Sequence, residues 1–172
     1  MTKPISLIIH GPFNEEWLDE IINQINNTNL IFEEKVIVSY AQDMQNYYNR
    51  LNELNSLDNF TICSCKDIIN PGFFNINRQI KTVFTGLNAL KNKDCIVIKL
   101  RNDQCVNFNK LQPFLDKINS EKIITTNCFT RKDRLYHPSD MFLCGYYSFM
   151  YEYFSCNPMD NTHLGHIIQV QN

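Results

Sequence analysis

Short apolar runs of strand character alternate with amphipathic helical stretches along this 172-residue chain. That order predicts an α/β fold, a mostly parallel central sheet with helices on both faces. Two further observations support it. From Phe73, apolar side chains at Ile76, Ile80, Val83, Phe84, Leu87 and Leu90 recur at helical spacing. Polar residues also gather just after the strand-like runs, at the edge where open α/β sheets hold ligands.

Ile5 to Ile9 reads as a buried first strand ending at the turn His10-Gly11-Pro12. Asn14 is placed to cap a helix over Glu15–Ile25, with Trp17, Leu18, Ile21, Ile22 and Ile25 on one stripe and acids in the first turn. Lys35–Tyr40 predicts a second strand, Asp43–Leu54 a polar helix and Phe60–Cys65 a third strand. The helix introduced by Pro71 and Gly72 leaves Asn75, Arg78, Thr82 and Thr85 off its buried stripe. Cys95–Leu100 is the fourth strand, Lys110–Ile118 a helix with Pro113 near its start, and Lys122–Thr126 the fifth strand. After a charged loop at Arg131–Arg134, Met141–Cys144 is a short apolar run, Tyr146–Phe154 an aromatic helix, and Ile167–Val170 a last strand.

The length fits a single domain over residues 1–172. A net charge of −2 gives no electrostatic footprint for nucleic acid or an anionic membrane, so any phosphate site must be local. Seven cysteines scattered through predicted elements favour a reduced intracellular protein. Cys63-Ser64-Cys65 reads as a pair of small core residues. The first residues lead straight into a strand without a long apolar segment, so the expectation is a cytoplasmic protein with no membrane span.

Lys99, Arg101 and Asp103 alternate with Ile98, Leu100 and Asn102, so an extended backbone turns all three polar side chains one way. Two cations beside a carboxylate suit a phosphorylated substrate, with or without a divalent metal; a plain Arg101–Asp103 pair at a solvated strand end fits the spacing equally well. Asn77 and Arg78 fall in the first turns of the helix after Gly72, where the dipole and unpaired N–H groups favour anions. Asp140 precedes an apolar run and could deprotonate an acceptor hydroxyl, or simply cap a turn. Gly11, Pro12, Ser39 and Asp67 follow the first three strands and share the carboxyl edge with Asp103 if the sheet is parallel. His163 and His166 are spaced to share a helical face or to supply one metal ligand, although a surface role is the commoner fate of such histidines.

Several of these elements together resemble the WavE-type lipopolysaccharide-synthesis glycosyltransferases, which have a GT-A-like fold. They are His10-Gly11-Pro12, Val38-Ser39-Tyr40, Lys66-Asp67, Pro71-Gly72, Asn77-Arg78-Gln79-Ile80, Lys99-Leu100-Arg101-Asn102-Asp103 and Ser139-Asp140-Met141-Phe142 with Gly145. The resemblance implies a nucleotide-sugar donor, foremost a UDP-sugar, and a carbohydrate acceptor, in surface-glycan or lipopolysaccharide-like synthesis. It implies that Asn77, Arg78, Lys99 and Arg101 line the donor site and that Asp140 is the acid near the acceptor. Asp103 would take the place of a metal-binding acidic motif for Mn²⁺ or Mg²⁺, and His163 or His166 would complete that site. The motif here is Arg-Asn-Asp rather than Asp-x-Asp, which leaves one carboxylate for a metal. Two alternatives stay open: a non-catalytic nucleotide-sugar or glycan-binding module of the same fold, and a sugar nucleotidyltransferase. No Gly-rich phosphate loop of the P-loop or Rossmann type is present.

Overall fold

A computed structural model describes residues 3–57, 59–72, 75–119, 122–127 and 140–158. Alternation of apolar strands with helices produces the elements β1 (Ile5–His10), α1 (Glu15–Asn26), β2 (Phe32–Tyr40), α2 (Ala41–Asn46), α3 (Tyr48–Asn55) and β3 (Phe60–Cys65). There follow α4 (Ile76–Ala89), β4 (Ile96–Arg101), α5 (Gln112–Leu115), β5 (Ile124–Thr125), β6 (Phe142–Tyr146) and α6 (Tyr147–Phe154). The strands form one sheet in the order β3-β2-β1-β4-β6-β5. β3, β2, β1 and β4 run parallel, whereas β6 is antiparallel to both β4 and β5.

Strand alternation sorts the core onto two faces. Leu7, Ile9, Ile37, Ile98 and Leu100 pack with Leu18 and Ile21 of α1 and with Leu51 and Leu54 of α3. Ile8, Val36, Val38, Val97 and Leu143 pack on the other face with Val83 and Leu87 of α4 and with Met150 and Phe154 of α6. Both faces are therefore covered, and the central strands read as near-continuous apolar runs for that reason. Cys63 and Cys65 pack on the α4 face as unpaired thiols.

Local chemistry accounts for the start of α1. Asn14 accepts a hydrogen bond from the Trp17 amide at the start of α1, and Glu15 and Glu16 occupy its first turn. Three elements differ from the sequence expectation. The predicted helix 43–54 breaks at Tyr47, whose ring packs 4.5 Å from that of Phe13 and so fixes the chain between α2 and α3. The predicted helix 110–118 shrinks to a 3₁₀ turn at Phe108–Lys110 and the single turn α5, held by burial of Phe108 and Leu115. The fifth strand is reduced to Ile124 and Thr125, paired with Cys144 and Leu143 of β6. The expected strand at 167–170 lies outside the described residues.

Gly86 sets how closely α4 approaches the sheet. A Cβ there would meet Ile8 Cγ2 at 2.7 Å and Val38 Cγ2 at 3.1 Å, both deep in the core. Gly86→Val is expected to destabilise the fold by about 1–3 kcal/mol through overpacking, read as a lowered denaturation midpoint at unchanged slope.

Candidate functional site

The strand order places a topological switch point between β1 and β4: the chain steps from β1 to β2 to β3 on one side, then crosses over α4 to β4 on the other. Open α/β sheets bind ligands in the crevice outside the carboxyl ends of the strands at such a point. Here that crevice is a cleft of about 400 Å³. Its walls come from His10 to Asn14 after β1, Trp17 of α1, Tyr40 at the end of β2, Asn75, Arg78, Gln79 and Thr82 of the α4 region, Arg101 to Asp103 after β4, and Asp140 before β6. Ligand pockets commonly span about 300–1,000 Å³.

Gly11 in the cleft wall has φ +126°, a conformation open to glycine. A Cβ at Gly11 would lie 2.8 Å from Asn102 Oδ1, and the Asn102 side-chain amide donates to the Pro12 carbonyl. Asn102 is thereby spent on bracing the β1 turn.

Two arginines flank the cleft, each oriented by a carboxylate. Arg78 donates through Nε and Nη2 to Asp67 Oδ1 and Oδ2 at 2.9 and 2.6 Å, and through Nη1 to Asn75 Oδ1 at 3.1 Å, with its guanidinium 5.9 Å from the Tyr40 ring. These bonds hold the Asp67 carboxyl below its usual range. Arg101 donates through Nε and Nη2 to Asp103 Oδ1 and Oδ2 at 3.0 and 2.5 Å, while its Nη1 lies 3.7 Å from Asp140 Oδ2. Bidentate arginine–carboxylate pairs of this kind fix the guanidinium plane.

β6 brings Asp140 here. Because β6 runs antiparallel to β4, its beginning lies beside the end of β4; Leu100 pairs with Phe142, and the Arg101 amide donates to the Met141 carbonyl at 3.1 Å. The Asp140 carbonyl accepts from Lys99 Nζ and from Gln79 Nε2, tying the approach to β6 onto both β4 and α4.

Lys99 is fully buried. Burial pushes its ammonium down to about 7, the neighbouring Arg101 adds to the shift, and Asp140 and Asp103 oppose it. The residue therefore lies beneath the cleft rather than in its wall. His10 is also buried, and burial with the Lys99 and Arg101 charges holds its imidazole well below 6.5, so it is neutral. Its Nδ1 lies 2.9 Å from Thr82 Oγ1. The Thr82 hydroxyl donates its one proton to the Arg78 or Gln79 carbonyl, so it accepts from His10 Nδ1–H. Nε2 is left as an acceptor with no hydrogen-bond partner among the described residues.

Of the residues singled out in the sequence, Gly11, Pro12, Arg78, Arg101, Asp103 and Asp140 meet around the cleft. Asp67 acts one step away, through Arg78. Ser39 is buried on the opposite face of the sheet and its hydroxyl donates to Asp43 Oδ2 at 3.3 Å, because residues 37 and 39 of β2 point toward α1. Asn77 is buried behind the cleft, where its amide donates to the Asn70 carbonyl and braces the turn before α4. His163 and His166 lie outside the described residues. Thr82, expected off the buried stripe, is buried by its bond to His10. Trp17, expected on the buried stripe, stands in the first turn of α1 and is 43% exposed in the cleft wall. His10 and Gln79 stand in the sequence only as members of resembling motifs, without a role of their own; the sequence signal for His10 is its place at the end of an apolar run, and only the pairing of β1 with β4 sets it opposite Arg101.

The expected divalent cation meets a donor set already engaged. Both Asp103 oxygens accept from Arg101, and Oδ1 also from Gln104 at 3.3 Å. Asp140 sits near the same guanidinium. Among the described residues no group of three His, Cys, Asp or Glu could hold a metal. As arranged, these carboxylates fit a guanidinium and do not fit a hard divalent ion, which requires several oxygen ligands at once.

No family model matches the chain, and no curated protein matches its sequence. Solved structures do match. A mannosyltransferase from Pyrobaculum calidifontis, in complex with GDP-Man and Mn²⁺, superposes with a TM-score of 0.55 at 10% identity over 85% of this chain and 45% of that one. Residues 1–349 of S. aureus TarS, in complex with UDP, give 0.51 at 16% identity over 84% and 47%. The fold is GT-A-like. A 4-diphosphocytidyl-2C-methyl-D-erythritol synthase from Anaerococcus prevotii gives 0.54 at 12% identity over 97% of this chain and 83% of that one. The GT-A-like chain thus spans less than half of the two transferases but most of the synthase. Among the described residues no helix is long and apolar enough to cross a membrane.

Lys99 makes stability depend on pH. Its folded-state pKa, about 7, lies below the ordinary 10.5, so between these values the unfolded chain binds more protons and stability rises with pH. Lys99→Met is expected to remove this term. The stability of the native protein relative to the variant should climb by up to a few kcal/mol from about pH 7 to pH 10, measured by urea unfolding at each pH.

Proposed function

We propose that this chain is a single GT-A-like domain that uses a nucleotide sugar, transferring the sugar from a nucleoside diphosphate to a carbohydrate hydroxyl. The observation that carries the reading is the convergence of Arg78, Arg101 and Asp140 on one cleft at the β1/β4 switch point. Oriented guanidinium groups suit a diphosphate, and a carboxylate nearby suits a proton acceptor. In this scheme the diphosphate lies against Arg78 and Arg101, and the aromatic wall of Phe13, Trp17 and Tyr40 packs on the flat parts of the ligand. The acceptor oxygen forms a bond to the anomeric carbon and gives its proton to Asp140. The bond from that carbon to the diphosphate breaks with both electrons going to the leaving oxygen. A UDP-sugar donor, a cytoplasmic site of action and a place in WavE-type surface-glycan synthesis belong to the same proposal, supported by the sequence motifs.

The likeness in fold to the diphosphocytidyl synthase supports a second reading, a sugar nucleotidyltransferase in the same cleft. That reading requires pyrophosphate release from a nucleoside triphosphate and a sugar phosphate.

A thermal-shift panel of UDP, GDP, CDP and their sugar conjugates tests the donor site. Saturation at ~100 times the dissociation constant should add about 2.7 kcal/mol of stability, and Arg78→Ala should abolish the shift. With the donor so found, Asp140→Asn should lower turnover by about 10²–10⁴-fold while leaving donor binding within about twofold. Equal turnover in Asp140→Asn would exclude Asp140 as the base, and pyrophosphate release from a triphosphate would decide for the second reading.

A further inference from the structure

Resting on the nucleotide-sugar reading, we propose that the Arg101 guanidinium, held in place by Asp103, is itself the cation that receives the departing diphosphate, in the position where the resemblance puts a divalent metal. Three features of the strand end lead there. Asp103 spends both carboxylate oxygens on Nε and Nη2 of Arg101, so it serves as the orienting partner of a cation rather than as an open ligand. The position between them cannot supply a second carboxylate: it is Asn102, whose amide is committed to the Pro12 carbonyl. The fork leaves Nη1 unbonded to Asp103 and 3.7 Å from Asp140 Oδ2, in the wall of the cleft.

The chemistry is complete without a co-reactant. As the anomeric carbon–oxygen bond breaks, the electron pair settles on the diphosphate, where the permanently charged guanidinium meets it. The acceptor oxygen takes the vacated bond and its proton goes to Asp140. A planar guanidinium offers paired donors matched to phosphate oxygens and keeps its charge at every working pH, which suits it to a role independent of metal supply.

Calorimetry with UDP, GDP and CDP, and with the matching monophosphates, in EDTA and in millimolar Mn²⁺ tests the proposal. The expected result is a dissociation constant for the preferred diphosphate that agrees within about twofold between the two buffers. Arg101→Met should weaken the diphosphate by about tenfold or more in both buffers and change the monophosphate little, with Arg101→Lys falling between them if Met disturbs the fold. Binding that vanishes in EDTA and returns with Mn²⁺ would overturn the proposal while leaving the nucleotide-sugar reading intact, as would an Arg101→Met variant that binds diphosphate like the native protein. A native protein that binds no nucleotide in either buffer would overturn that reading, and this proposal with it.

Discussion

The pairing of β1 with β4 is the constraint on which the site depends. Ile8 lies opposite Lys99 and His10 opposite Arg101, so these side chains share the α4 face. A slip of one residue would send Lys99 and Arg101 into the apolar layer under α1 and bring Ile98 and Leu100 out of it. Burial of Leu7, Ile9, Ile98 and Leu100 on the α1 face therefore fixes the register from below, and the polar edge inherits it. The same pair of strands defines the switch point, so one register decides both where the cleft lies and which charges line it.

Holding Asp140 in that cleft has an energetic cost. Burying an ammonium is expensive even when it is well bonded, yet Lys99 is placed under the sheet edge with the Asp140 carbonyl as its hydrogen-bond partner. Gln79 reaches the same carbonyl from α4. The beginning of β6 is thus clamped between a strand and a helix that are themselves spaced by Gly86 against Ile8 and Val38. A stable apolar residue at 99 would leave that carbonyl to Gln79 alone.

Each arginine of the cleft is matched by carboxylates: Arg78 by Asp67 behind it, and Arg101 by Asp103 and Asp140. The carboxylates offset much of the repulsion between cations and set the planes of the guanidinium groups before any ligand arrives. Such preorganisation is what makes charged groups effective in a partly dry site. His10 stays neutral between Lys99 and Arg101, which spares the floor of the cleft a further positive charge.

The sequence by itself determined the α/β class, the succession of strands and helices, the Asn14 cap, the carboxyl-edge positions of Gly11, Arg101 and Asp103, and the place of Arg78 in the first turn of its helix. These follow from local periodicity and from parallel strands ending together. What only the tertiary structure decided are contacts that periodicity cannot encode. The antiparallel return of β6 delivers Asp140 beside Arg101. The depth of α4 on the sheet buries Lys99, Asn77 and Thr82 instead of exposing them, and Trp17 at the start of α1 lies in the cleft wall instead of the core. Alternation tells which face of a strand a side chain takes; whether that face is covered by a helix or open to a ligand depends on elements distant in the chain.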